Sequence, residues 1–155
     1  MKRSEQVELV RESLRRFNRR AGVLKADPYG IGLSLSQCSA LVDIGRTGTL
    51  KANDLVRLLN LEKSSVSRLL AVLGKSGLIT VTAAPDDGRS KLLKLTTAGK
   101  EKVEIINRAS NNSVIEAFEF LSRKERDEVV SAFVVLSKAV SKVDRPKSTT
   151  PVAPS

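Results

Sequence analysis

Val7, Val10, Leu14, Phe17, Ala21 and Leu24 recur at alternating steps of three and four residues, which places them on one face of an α-helix. They predict an amphipathic helix over residues 4–25, with arginine dominating its other face. Pro28, Gly30 and Gly32 cannot continue that helix, so residues 26–34 read as a loop. Ser34 stands three positions before Gln37, the spacing of a reciprocal N-terminal cap. It opens a short helix whose apolar positions are Cys38, Leu41 and Ile44 and which Gly45 and Gly48 are expected to end. Thr49 and Leu50 suit a brief strand, followed by a helix from Ala52 to Leu59 that turns Leu55, Leu58 and Leu59 inward. Asn60 tolerates the left-handed conformation that stops a helix. Helical spacing then resumes from Lys63 to Ser76 with Val66, Leu69, Leu70 and Leu73 apolar. Two helices of about ten residues joined by a tight turn form a helix-turn-helix.

Beyond Gly77 the period changes. Leu78 to Ala83 is rich in β-branched residues, Pro85, Asp86, Asp87 and Gly88 make a turn, and Lys91 to Thr96 returns as a second strand. From Thr97 the helical period is carried by Val103, Ile106, Val114, Ile115, Phe118 and Leu121. Ser122 and Glu125 cap a last helix whose Val129, Val130, Phe133, Val134, Leu136 and Val140 are too apolar to face solvent. That pair of helices needs a partner. Residues 144–155, rich in Pro, Ser and Thr, read as a disordered tail. The pattern predicts a mainly α fold with a small β-hairpin wing.

Composition narrows the chemistry. The chain has 155 residues, no histidine and one cysteine. Histidine-dependent hydrolysis, histidine metal ligation and an internal disulfide are therefore excluded. No paired catalytic carboxylates, glycine-rich phosphate loop or metal cluster can be assembled, so neither an enzyme nor a bound cofactor or metal is expected. The amino terminus lacks the apolar stretch of an export signal and no segment is long enough to span a bilayer, so a cytoplasmic, non-membrane protein is expected.

The net charge of +10 points to nucleic acid or an anionic surface, and its distribution favours the former. Residues 1–25 hold eight bases against three acids and residues 46–100 ten against four, whereas residues 101–143 hold seven of each. On the second helix of the helix-turn-helix, Ser64, Ser67 and Arg68 share a polar face, with Lys63 and Ser65 flanking them. Such a helical turn reaches base edges and phosphates in a major groove, although the same residues also suit a plain solvated face. The hairpin tip carries Arg89, followed by Ser90 and Lys91, with Lys94 further along, and a thin basic hairpin has the shape to enter a minor groove. Asp87 is placed to aim the Arg89 guanidinium.

In order, these pieces resemble the winged helix-turn-helix core of the MarR family of bacterial transcription regulators. The similarity is carried by Asp87-Gly88-Arg89-Ser90 through Leu95-Thr96 to Gly99, by Val66-Ser67-Arg68 and Leu73, and by Gly77-Leu78-Ile79. It implies one domain over residues 1–143, with a DNA-binding lobe at about 36–99 and a dimerisation lobe from 4–25 and 100–143. It implies a homodimer on a pseudo-palindromic operator, with one recognition helix per half-site in the major groove. Arg89 would enter the minor groove and Asp87 would support it. A small-molecule effector of unspecified identity is also implied. The chain departs from the family pattern at Glu62, Gly74, Val81 and Gly88, all near the presumed DNA face. Cys38, on the apolar side of its helix, is a weak candidate for oxidant sensing. A winged-helix packaging or protein-interaction module without a defined operator shares the same charges and remains the alternative reading.

Overall fold

Leu41, Ile44, Leu55, Leu73 and Leu93 are inaccessible to solvent, and they come from three helices and a strand that the chain pattern places far apart in sequence. The computed structural model describes residues 1–85 and 87–143, with only the backbone of 87–89. The side chains of Asp87 and Arg89 and the tail expected at 144–155 therefore lie outside the described residues.

The elements follow in the order α1 (Arg3–Arg20), α2 (Leu35–Thr47), β1 (Leu50–Lys51), α3 (Ala52–Leu59), α4 (Lys63–Lys75), β2 (Ile79–Ala84), β3 (Asp87–Leu95), α5 (Thr97–Glu119) and α6 (Arg123–Val140). The three strands form one antiparallel sheet in the order β1-β3-β2. Leu50 lies opposite Leu93 in one ladder, and Ile79 lies opposite Leu95 in the other. The architecture is mainly α with a β-hairpin wing, as the pattern predicts.

Local signals act where they were expected. Ser34 and Gln37 cap α2 reciprocally, Ser122 and Glu125 do the same for α6, and Asn60 stops α3 at φ 51° and ψ 42°. The Glu125 carboxyl is held below its usual range by hydrogen bonds from the Ser122 hydroxyl and then from its backbone N–H.

Four boundary or burial expectations change. α1 stops at Arg20 rather than near residue 25, because Gly22 turns the chain at φ 72°, leaving Leu24 beyond the helix and exposed. Gly45 does not end α2 but lies within it, and a side chain there would come within 3.0 Å of Leu95 Cδ1. Its role is to let β3 pack on the helix. Leu58 faces outward at 48% exposure, while Val56 is buried in its place. β3 begins at Asp87 rather than Lys91, so Asp87 and Gly88 belong to the strand rather than to the turn.

The core occupies the middle of the chain. Besides the five residues already named it takes in Cys38, Val66 and Leu70 and reaches α5 only as far as Ile106. Beyond that point α5 exposes Val114 and Ile115. Neither α1 nor α6 buries any residue. Val7, Val10 and Phe17 of α1, and Val130, Phe133, Val134 and Val140 of α6, all stand in solvent. These stripes are larger than the isolated apolar residues of an ordinary surface.

Candidate nucleic-acid interface

α4 is amphipathic, and its apolar side sets where its polar side points. Val66, Leu69, Leu70 and Leu73 are buried, which turns Lys63, Ser64, Ser67 and Arg68 outward to solvent and leaves Ser65 half-buried. Arg68 Nη2 makes a long 3.4 Å contact with Ser65 Oγ one turn earlier, so its guanidinium lies along the helix. Glu62 sits at the N-cap in extended conformation without accepting a capping hydrogen bond. Its charge still favours the positive end of the helix while opposing an anion brought to the same end.

The base of the wing is tied to the end of α4. The Thr96 hydroxyl donates to the Gly77 carbonyl at 2.6 Å and accepts from the Gly99 N–H at 3.1 Å, while Thr96 N–H donates to Leu78 O at 3.1 Å. One threonine thus caps α5, closes the sheet and fixes the exit from α4. Between α3, α4 and the wing runs an open groove of about 470 Å³. Lys63 and Ser67 of α4 meet Ser90 and Lys91 of β3 along it, over a floor that includes Val56 and Val81. No side chain at Gly74 narrows it, and a Cβ there would find nothing within 4 Å.

Four of the expected site residues therefore share one groove, while Ser64, Ser65 and Arg68 belong to the same helix outside its lining. Asn53, in the first turn of α3, joins them. The sequence shows a polar residue at that helix start, but only the packing of α3 on α4 brings it to the groove. Lys94 separates from Lys91: it lies further along β3 and lines, with Leu95, a different cleft. Lys63, Arg68 and Lys91 carry no ion pair among the described residues, whereas Arg57 on α3 is paired with Asp54 and Arg46 on α2 with Asp43. The groove cations are thus available to an external anion.

Cys38 is 1% exposed, its thiol directed at Leu33 O at 3.9 Å. Burial, aided by the charge of Asp27, pushes the thiol up to about 11. A buried protonated thiol is a poor nucleophile, which argues against oxidant sensing in this conformation. Among the described residues no group of three or more His, Cys, Asp or Glu is placed to hold a metal, and no helix is long and apolar enough to cross a membrane.

A sequence model described as MarR family matches residues 31–90, which span α2, the helix-turn-helix and the wing up to Ser90. A solved structure of a probable transcriptional regulator from Pseudomonas aeruginosa is 34% identical, covers 79% of this chain and 92% of its own, and superposes with a TM-score of 0.64. The chain belongs to the MarR family. An uncharacterized HTH-type transcriptional regulator of Mycobacterium bovis is 32% identical over 60% of this chain and 65% of that protein. The chain thus spans slightly less than two thirds of the length of that curated relative. A MarR family transcriptional regulator from Streptomyces coelicolor, solved in complex with DNA, shares the fold with a TM-score of 0.70 at 19% identity, over 90% of this chain and 89% of its own. These relatives are transcription regulators and not enzymes.

Proposed function

We propose that this MarR family protein is a DNA-binding transcription regulator acting as a homodimer on a pseudo-palindromic operator. The observation that carries the reading is the groove in which Lys63 and Ser67 of α4 face Ser90 and Lys91 of the wing, beside the outward Ser64 and Arg68. A recognition helix and a wing sharing one cationic surface suit a helix in the major groove and a strand tip beside it on the same duplex. In this reading Arg68 reads a base, Lys63 and Lys91 neutralise phosphates, Ser64, Ser65, Ser67 and Ser90 add polar contacts, and Arg89 enters the minor groove supported by Asp87.

The homodimer is supported by the exposed apolar stripes of α1 and α6, which leave two helices without a core to join. Burying such stripes against a second copy removes apolar area at about 25 cal/mol per Å². Residues 4–25 and 100–143 then form the dimerisation lobe, and residues 36–99 the DNA-binding lobe. A regulator of this kind works in the bacterial cytoplasm or nucleoid, with a small-molecule effector of its own.

Selection of bound fragments from the host genome, followed by footprinting at several salt concentrations, tests this. The expected result is a protected site with two half-sites about one helical turn apart and affinity that falls steeply with salt. Salt-dependent binding with no protected site would instead favour a packaging role.

A further inference from the structure

We propose that Ala71 and Val72, in the third turn of α4, form an apolar contact for the C5-methyl group of a pyrimidine, which is thymine in unmodified DNA. The inference rests on the DNA-binding reading and deepens it, adding a specificity-determining pair to the polar residues already named.

The outward face of α4 consists of Ser64, Ser67, Arg68, Ala71, Val72 and Lys75, the i, i+3, i+4, i+7, i+8 and i+11 spacing that gathers side chains on one side of a helix. All six are exposed. The first two turns of that face carry hydroxyl and guanidinium groups, and the third is apolar. The core does not claim this third turn: the buried side of α4 is complete with Val66, Leu69, Leu70 and Leu73, and Val72 remains 47% exposed. The apolar surface continues toward the wing. Ala71 lines the groove beside Gly74, which adds no side chain, and shares it with the half-exposed Val81.

A duplex laid on this face determines what meets the apolar turn. Its phosphates are charged and its base edges present donors and acceptors, so the one apolar group it offers in the major groove is the C5-methyl of thymine. A purine edge placed there would bury polar atoms against side chains that have no donor or acceptor to return. Ala71 and Val72 lie three and four residues beyond Arg68. That is a rise of about 4.5–6 Å along the helix, or up to about two base steps of about 3.4 Å, so the methyl belongs within about two base pairs of the base read by Arg68. Deleting a buried methyl forfeits close to one methylene of transfer free energy, an affinity loss of about fourfold.

The test uses the full chain and the operator fragment obtained by genomic selection, with deoxyuridine replacing thymidine one position at a time. This exchange deletes only the C5-methyl. At one thymine in each half-site, within about two base pairs of the position whose preference relaxes in Arg68→Ala, replacement is expected to weaken binding about fourfold. In the variant carrying both Ala71→Ser and Val72→Ser, replacement at that thymine should leave affinity unchanged. A 5-methylcytosine at the same position should bind the wild-type protein about fourfold more tightly than cytosine does, which assigns the effect to the methyl rather than to the rest of the thymine edge. Both substituted residues are exposed, and circular dichroism checks that the variant is folded. The two base-analogue measurements on the wild-type protein need no variant. Absence of any thymine whose replacement weakens binding, no advantage of 5-methylcytosine over cytosine, or a uracil penalty of the same size in the serine variant would each overturn the proposal. Operator binding with a steep salt dependence but no methyl effect would leave the DNA-binding reading standing and remove only this contact, whereas failure to select any operator would remove both.

Discussion

Gly99 lies in the first turn of α5 and is buried against the chain leaving α4. An added Cβ would overlap the Leu78 carbonyl oxygen and stand 3.1 Å from the carbonyl carbon and 3.4 Å from Leu95 Cδ2. The obstacle is backbone, which cannot swing aside as a flexible side chain can. Gly99→Ala therefore has to push α5 away from residues 77 and 78. Overpacking of this kind costs about 1–3 kcal/mol. The shift also strains the 3.1 Å bond from Thr96 N–H to Leu78 O, worth about 0.5–1.5 kcal/mol. Alanine returns up to about 1 kcal/mol through its better helix propensity. The net expectation is a loss of about 2 kcal/mol, the sum of the central values. Urea unfolding followed by far-UV circular dichroism, at one fixed protein concentration, measures it. Gly74→Ala is the control: it too is helical, but nothing lies within 4 Å of its Cβ, so it should stabilise by up to about 1 kcal/mol. A Gly99→Ala variant as stable as Gly74→Ala would refute the claim that the close approach holds α5 to the end of α4.

Arg68→Ala is expected to cost about 1–3 kcal/mol at the selected operator and to relax preference at one base position, measured by binding to a set of singly substituted sites. Phe133→Glu, at a half-exposed position on the α6 stripe, should shift the protein toward monomer in sedimentation equilibrium, and an unchanged mass would remove α6 from the interface. The Asp27 carboxyl is held below its usual range by the Gly32 and Ile31 N–H groups, at 2.7 and 3.0 Å. Because its folded value is depressed, its contribution to stability is present above the ordinary carboxylate value of about 4 and is lost as pH falls through the folded value. The stability gap between the wild-type protein and Asp27→Asn should therefore narrow on acidification, and a gap independent of pH would contradict the assignment. Cys38 should react with a thiol-specific disulfide reagent at about pH 8 only as the chain opens, with a rate that rises with urea; rapid labelling of the native protein would mean the thiol is not enclosed.

Elements with a local cause could be read directly from the chain. The caps at Ser34 and Ser122, the left-handed stop at Asn60 and the polar face of α4 each depend on residues within about one helical turn. Misplaced features depended on distant groups. Gly45 has the composition of a helix stop, yet it stays within α2 because Leu95, fifty positions later, packs where its side chain would be. Leu58 fits the apolar spacing of α3, but the neighbouring helices cover Val56 instead. Lys91 and Lys94 lie on one strand, yet neighbouring Ser90 and Lys91 line the same groove, so alternation does not sort them, and which cleft each joined required the sheet to be placed against α2, α4 and α5.

By itself the sequence determined that this protein is helical with a basic winged helix-turn-helix and without catalytic equipment, because periodicity, capping and the types of residue present are local properties. Tertiary structure decided which residues meet: Lys63 and Ser67 with Ser90 and Lys91 in one groove, Arg46 with Lys94 and Lys100 in another, Cys38 enclosed, and α1 and α6 left bare. These follow from how helices and sheet exclude one another's volume. Such exclusion is a relation between positions remote in the chain, which no single stretch of it encodes.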